Sequence, residues 1–124
     1  MTPRFPCGVI PTARKSQRKG ADGERELAAL LREYGYPVER GGSPSLGKVA
    51  DLSGLPGVHI EVKRVERLNV PEAMKQAMRD ADKFHDGAPT LFHRRSREPW
   101  LVTMRLQDWI SLYDRQKTAE TAGD

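Results

Sequence analysis

The chain has 124 residues, enough for one domain around one hydrophobic core. Its hydrophobic content of 37% and charged content of 31% indicate an ordinary globular protein and not a disordered one. We expect no membrane segment, because no apolar run reaches the ~20 residues of a span, and no signal peptide. The one cysteine, Cys7, excludes an internal disulfide and fits a free thiol in the cytoplasm.

The net charge of +4 is unevenly distributed. Residues 1–20 contain five basic residues and no acidic one, namely Arg4, Arg14, Lys15, Arg18 and Lys19. A second basic cluster consists of His93, Arg94, Arg95 and Arg97. Such segments bind the phosphate backbone of nucleic acids without reading sequence. A solubilising tail is the alternative, since the net charge is modest.

Residues 1–19 contain three prolines and no apolar periodicity, so a flexible basic arm is predicted there. A helix is predicted to follow, with Asp22 as its N-cap and Gly35 as its end. Its buried face has the spacing i, i+3, i+4 and i+7 and consists of Leu27, Leu30, Leu31 and Tyr34.

Five strands and two more helices are predicted beyond this helix. Strands are expected at 36–40, 49–52 and 58–63, with a Gly/Ser-rich loop at 41–47. The second helix has Pro71 in its first turn, and its buried stripe is expected to be Met74, Ala77, Met78 and Ala81. Strands near 90–93 and 100–104, a helix at 106–113 and a polar tail at 115–124 complete the order.

This order predicts an α/β fold of three layers, with a mixed five-stranded sheet flanked by helices, over residues 20–114. The second helix can connect two parallel strands, because a parallel pair needs a crossover connection. The crossover is expected to be right-handed.

The strand at 58–63 carries the first chemical signal. Because side chains alternate between faces, Glu61 and Lys63 share one face, ~7 Å apart along the strand. The carboxylate can bind a hard cation, and the lysine can position the attacking water or stabilise charge on a phosphate. A surface ion pair on a solvated strand is the alternative.

Asp51 strengthens this signal. It lies ten residues before Glu61 and is followed by turn residues, so a hairpin would bring the two carboxylates together. Two such carboxylates repel each other unless a cation lies between them. A magnesium ion, for which manganese can substitute, is the expected occupant, because it binds one or two carboxylates together with water and phosphate. The alternative is an ordinary turn aspartate.

Glu24 is a further candidate, because it falls about 60° from the centre of the predicted buried stripe of the first helix. It could benefit from the helix dipole at the N-terminal turn, or it could point into a site. On the same helical wheel, Glu26 and Glu33 are expected to face water.

These motifs, in this order and spacing, resemble a known family. The run from Arg18 to Leu27, which contains Arg-Lys-Gly, a three-residue gap and Glu-Arg, is similar to the opening of archaeal-type Holliday junction resolvases and their phage relatives. The later Asp51 and Glu61-Val62-Lys63 match the signature of the PD-(D/E)XK nuclease superfamily, to which these resolvases belong. The resemblance covers about residues 18–105 and implies a restriction-endonuclease-like fold.

The resemblance implies roles for individual residues. Glu24 would complete an acidic site formed by Asp51 and Glu61, the Val62 carbonyl would add a metal ligand, and Lys63 would be the catalytic lysine. Ser43, with Ser45 as the alternative, matches a loop serine that approaches the junction backbone. Gln76 matches a glutamine on the helix after the Glu-x-Lys strand, although its position away from the Met74/Met78 stripe favours a solvated side chain.

The sequence departs from the superfamily at one position, since Ala50 stands where a proline usually precedes the aspartate. Cleavage of a junction needs two symmetric nicks and therefore implies a homodimer. Trp100, Leu106 and Trp109 could form its interface, but core packing is favoured for them.

His59 shares the face of Glu61 and Lys63, and we expect it to be a peripheral or phosphate-contacting residue rather than a metal ligand. With three histidines and one cysteine, a structural zinc site is not expected. The absence of a P-loop motif argues against a nucleotide cofactor.

The hypothesis is therefore a magnesium-dependent DNA endonuclease, cytoplasmic and associated with nucleoid or phage DNA, that acts on branched or duplex DNA and most specifically on four-way junctions. The alternatives are a nuclease of the same superfamily acting on flaps, nicks or duplex sites, and a non-catalytic DNA-binding module with the same fold.

Overall fold

The computed structural model of the chain describes residues 15–41 and 51–122, with side chains over 21–41 and 51–120. Arg14, Ser43 and Ser45, which were predicted to contact DNA, lie outside the described residues. The side chains of Lys15, Arg18 and Lys19 also lie outside them, although their backbone is helical.

Three helices and five strands occur in the predicted order. They are α1 (Lys15–Glu33), β1 (Glu39–Arg40), β2 (Leu52–Ser53), β3 (Val58–Arg64), α2 (Val70–Phe84), β4 (Ala88–Arg94), β5 (Leu101–Met104) and α3 (Leu106–Ala122). The strands form one sheet in the order β1-β2-β3-β4-β5. Strands β3 and β4 are parallel and the other neighbours are antiparallel. This confirms the predicted α/β class with a mixed five-stranded sheet flanked by helices.

Helices α1 and α3 are longer than predicted. Helix α1 begins at Lys15 instead of Asp22, so residues 15–19 of the predicted flexible arm are helical. Helix α3 continues to Ala122 through most of the predicted polar tail. Both extensions consist largely of good helix formers without an apolar stripe. In α3, the pair of Gln116 and Glu120 (2.9 Å) adds support at i, i+4 spacing.

Helix α1 packs on one face of the sheet. Leu27 and Ala28 form the core there together with Val38, Leu52, Ile60, Val62 and Phe92. The predicted stripe was wrong at Tyr34, which is 69% exposed beyond the end of the helix. Gly23 lets α1 approach β3 closely, because a Cβ atom at this position would overlap the Cβ of Arg64.

Helix α2 covers the opposite face. Asn69 caps it by accepting a hydrogen bond from the Glu72 amide at 3.1 Å, and a proline lies in its first turn as predicted. Its buried residues are Ala73, Ala77 and Ala81, whereas Met78 is 39% exposed. These small side chains allow a close approach to β3 and β4. Among the described helices, none combines the length and apolar character that a membrane span requires.

Candidate active site

Asp51 is held directly against the central strand β3. It immediately precedes β2, which pairs with β3 at Leu52 and Ile60. Its Oδ2 accepts a hydrogen bond from the Val62 amide at 2.8 Å. The turn between β2 and β3 therefore brings Asp51 beside the Glu61-Val62-Lys63 segment, as the spacing predicted. Val62 contacts Asp51 through its backbone amide. The role of its carbonyl oxygen as a metal ligand stays a prediction.

The electrostatic environment of Asp51 is that of a crowded acidic site. Burial, followed by the negative charges of Glu61 and Glu24, raises the pKa of Asp51 to about 6. The Val62 hydrogen bond and the positive charge of Lys63 lower the same pKa and only partly offset the increase. The carboxylates of Glu24 on α1, Asp51 before β2 and Glu61 on β3 therefore repel one another.

Glu61 and Lys63 lie on the α2 side of β3. Glu61 is only 4% exposed, and its Oε2 lies 3.9 Å from Nζ of Lys63. The Lys63 ammonium donates a hydrogen bond to Oε1 of Gln76 at 3.2 Å. The lysine is therefore held between a carboxylate of its own strand and an amide of α2, with 28% of its side chain exposed.

The prediction of a solvated Gln76 was wrong. It assumed a buried stripe centred on Met74 and Met78, but the buried positions of α2 are alanines at i, i+4 spacing that begin at Ala73. This rotation turns Gln76 toward β3, where it bonds to Lys63. The alanines carried too weak an apolar signal for the sequence to define the rotation.

Glu24 projects from the middle of α1. It lies three, four and seven residues before Leu27, Ala28 and Leu31, and so extends their face toward the site. The helix-dipole alternative is wrong, because α1 begins well before this residue, at Lys15. Burial raises the pKa of Glu24, the charges of Arg40 and Arg25 lower it, and that of Glu61 raises it. The Arg40 guanidinium lies 3.8 Å from Oε2 of Glu24.

His59 is buried under α2, not peripheral as predicted. Its ring is fully inaccessible and stacks near Phe84 with 6.4 Å between centroids. Its Nδ1 lies 2.8 and 2.9 Å from the two carboxylate oxygens of Asp86. Burial lowers the pKa of His59, but its interactions with the carboxylates of Glu61 and Asp86 outweigh burial and leave the pKa above its ordinary value.

Asp80 and Asp86 were missed as neighbours of this site. One donor atom each of His59, Glu61 and Asp80 lies within 4.8 Å of the others, a grouping that could hold a metal ion. The left-handed conformation of His85 and the positive φ of Gly87 turn the chain so that Asp86 faces the histidine. No sequence pattern indicated these contacts.

The residues of the second basic cluster lie in different environments. His93 pairs in register with Lys63, so it lies beside the site, and its Nε2 is 2.8 Å from Oγ1 of Thr103. Burial lowers the pKa of His93. Arg95 has 66% of its side chain exposed and is accessible to DNA. Arg94 is only 7% exposed and bonds to Glu26 and to the Glu98 carbonyl, so the prediction of a DNA contact there was wrong.

The same contacts correct the prediction that Glu26 faces water. Its carboxylate accepts hydrogen bonds from Arg94 and from the Trp100 indole (3.1 Å), and it lies 3.6 Å from Nε of Arg64. This cluster ties α1 to β3, β4 and the segment before β5. Long-range ion pairs of this kind cannot be inferred from a helical wheel.

Of the aromatic and apolar residues predicted near the carboxyl end, one packs in the core and two are exposed. Trp100 packs against the core, as favoured by the sequence. Leu106 and Trp109 are 71% and 51% exposed, so core packing is wrong for them. With Ile110 and Tyr113 they have the spacing i, i+3, i+4 and i+7, which is one exposed apolar face of α3. Leu101, Val102 and Leu112 are further exposed apolar residues nearby in the chain.

The combination of a mixed sheet, a helix on each face and an acidic site at β2 and β3 defines a restriction-endonuclease-like fold. The structure is similar to that of Hjc, a Holliday junction resolvase from Archaeoglobus fulgidus, with a TM-score of 0.50 and 21% sequence identity. The match covers 69% of this chain and 72% of that one. It agrees with the resemblance drawn from the motifs and shows the fold. No protein-family model and no curated protein matches the sequence.

Proposed function

We propose that this protein is a metal-dependent DNA endonuclease that resolves four-way junctions. The observation that carries the proposal is the convergence of Asp51, Glu61 and Lys63, with Asp51 fixed to the backbone of β3 and Lys63 fixed by Gln76. The fold is shared with a protein described as a Holliday junction resolvase, which adds support. A non-catalytic DNA-binding module would have no need for this arrangement of buried charges.

The acidic site fits a divalent cation. Burial and the charges of Glu24 and Glu61 act against ionised Asp51, and this repulsion is relieved when a cation binds between the carboxylates. Asp51 and Glu61 would hold magnesium or manganese, with Glu24 and the Val62 carbonyl as further oxygen ligands. When bound, the cation supplies a water of lowered pKa and neutralises charge on the scissile phosphate.

The protein's own residues would position the reactants. The Lys63 ammonium, between Glu61 and Gln76, is placed to orient the attacking water or to stabilise the charge that develops on the phosphate. Gln76 restricts the lysine to one position, which lowers the entropic cost of reaching the transition state. His93, on the neighbouring strand, lies where it can contact the phosphate backbone.

Basic residues would hold the DNA backbone. These are the exposed Arg95 after β4 and the basic residues predicted from the sequence, Arg14, Lys15, Arg18 and Lys19. Ser43, with Ser45 as the alternative, would approach the junction from the Gly/Ser-rich loop predicted at 41–47. Contacts of this kind recognise the shape of the DNA and not its bases, which suits a branched substrate.

A homodimer would supply the second nick. The exposed apolar face of α3 consists of Leu106, Trp109, Ile110 and Tyr113 and is suited to a self-complementary contact. Such a dimer would carry two copies of the acidic site, one for each of the two nicks in a junction.

A substrate panel tests the proposed function. The protein is incubated in magnesium with end-labelled four-way junction, flap, nicked duplex, linear duplex and single strand of the same sequences. We expect paired symmetric nicks in the junction and at least ten-fold slower cleavage of the other substrates. Cleavage of flaps or duplex in preference to junctions would contradict the substrate assignment. Tight binding without cleavage of any substrate would contradict the enzymatic one.

A further inference from the structure

His59 presents a buried nitrogen in the geometry of a metal ligand. Its Nδ1 faces the Asp86 carboxylate at 2.8 Å, so a neutral ring carries its hydrogen on Nδ1 and its lone pair on Nε2. A carboxylate that accepts the Nδ1 hydrogen is the usual support for a histidine that binds metal through its other nitrogen. Within the described residues, the buried Nε2 atom has no hydrogen-bond partner.

Two carboxylates lie beside this nitrogen. Oε1 of Glu61 is 3.5 Å from Nε2, and Asp80 of α2 completes a group whose three donor atoms all lie within 4.8 Å of one another. Two ligands of a tetrahedral ion with bonds of ~2.1 Å are ~3.4 Å apart, so the separation of His59 and Glu61 already suits a shared cation. A small inward movement of Asp80, on the flank of α2, would complete three ligands.

The donor set selects the class of cation. One imidazole nitrogen and two carboxylates suit a borderline transition metal, whereas magnesium prefers oxygen donors and retains its water. Glu61 belongs both to this group and to the acidic site, and its Oε1 faces His59 while its Oε2 faces Lys63. Oε1 of Glu61 can therefore bind an ion beside His59 while Oε2 remains in the acidic site beside Lys63.

We propose that His59, Glu61 and Asp80 form a second metal site, for a divalent transition-metal ion such as Zn²⁺, which fastens α2 to β3. Asp86 positions the histidine and does not bind the ion. The site goes beyond the proposed nuclease function, because metal binding at His59 is a property that holds whether or not the protein cleaves DNA.

Zinc binding to the intact chain tests this site. Metal-free protein carrying Cys7→Ser, which removes the thiol as a competing ligand, is titrated with Zn²⁺ by calorimetry, and zinc-edge X-ray absorption identifies the ligands. We expect one zinc ion with a single imidazole in its coordination shell. Asp80→Asn and His59→Gln should each weaken zinc binding at least ten-fold, and Asp86→Asn should weaken it by about ten-fold through the orientation of the ring.

Matched controls separate this site from other histidines and from the acidic site. Asp82→Asn, on an exposed position of the same helix, and His85→Asn should leave zinc affinity unchanged. Asp51→Asn should remove magnesium-dependent cleavage but retain zinc binding, which distinguishes failure of the proposed function from failure of the second site. A spectrum without imidazole, or an Asp80→Asn protein with unchanged zinc affinity, would overturn the proposal. If His59→Gln does not fold, the zinc-edge X-ray absorption spectrum of the Cys7→Ser protein, which retains His59, still decides the test.

Discussion

The Oδ2 atom of Asp51 lies 2.8 Å from the amide nitrogen of Val62 and accepts its hydrogen bond. The carboxylate of Asp51 is thus hydrogen-bonded to the backbone of β3 next to Glu61, and its position does not depend on a mobile side chain. Backbone attachment fixes the distance between the two acids through the register of β2 and β3. A metal site built this way is largely formed before the ion arrives.

The raised pKa of Asp51 predicts that Asp51→Asn stabilises the metal-free protein at neutral pH. The pKa of Asp51 is about 6 in the folded protein and exceeds its ordinary value of 3.8. Protonated Asp51 is compatible with the folded state, so its contribution to stability is fully present below pH ~4. This contribution is lost as the pH rises through 6 and the buried carboxyl ionises. Asparagine keeps an acceptor for the Val62 amide but cannot ionise. We expect a gain of about 2–3 kcal/mol at pH 7.5 and none at pH 4.

Urea unfolding in EDTA at the two pH values measures this effect. Asp82→Asn, an exposed substitution of the same kind, is the control and should change the free energy of unfolding by less than ~0.5 kcal/mol. A variant that is less stable than the original protein at pH 7.5 would show that Asp51 is not in a repulsive acidic environment.

Gln76→Ala should slow cleavage without weakening DNA binding. The change removes the hydrogen bond that restricts Lys63, while the lysine itself remains. We expect the single-turnover rate to fall by about ten-fold, in line with the ~1.5 kcal/mol of a hydrogen bond to a charged group, and the Kd for the junction to stay within two-fold. Gln107→Ala, at an exposed position of α3, is the control. Equal rates for the two variants would exclude Gln76 from the site.

Two adjacent arginines should behave in opposite ways. Arg94→Ala leaves the Glu26 carboxylate partly buried without its closest partner, and we expect a loss of about 3 kcal/mol in the free energy of unfolding. Arg95→Ala should leave stability unchanged but weaken junction binding and reduce its salt dependence by about one counterion. Thermal unfolding and binding titrations at several salt concentrations distinguish them. The reverse pattern would contradict the division of the basic cluster.

The exposed apolar face of α3 predicts that Trp109→Glu produces a monomer. Trp109 stacks on Tyr113 with 5.3 Å between centroids, and a charge placed there would be buried in any self-association through α3. Analytical ultracentrifugation should show a dimer for the original protein and for Gln107→Glu, and a monomer for Trp109→Glu. A monomeric original protein would exclude the homodimer, and an unchanged dimer in the variant would exclude this interface.

The strands and the acidic centre could be predicted because each has a local signal. The alternation in Val58–Lys63 placed Glu61 and Lys63 on one face, and the turn after Asp51 predicted the hairpin. The contacts of His59 and Arg94 could not be predicted, because their partners Asp86 and Glu26 lie 27 and 68 residues away along the chain. The rotation of α2, and hence the position of Gln76, depended on alanines whose apolar signal is weak.

The most direct measurement is single-turnover cleavage of a labelled four-way junction in magnesium by the original protein, Asp51→Ala and the matched control Asp82→Asn. We expect cleavage by the original protein and the control, a reduction of at least ~10³-fold in Asp51→Ala, and junction binding within a few-fold in all three. Cleavage by Asp51→Ala at the rate of the control would contradict the assignment of Asp51 and Glu61 as the magnesium site.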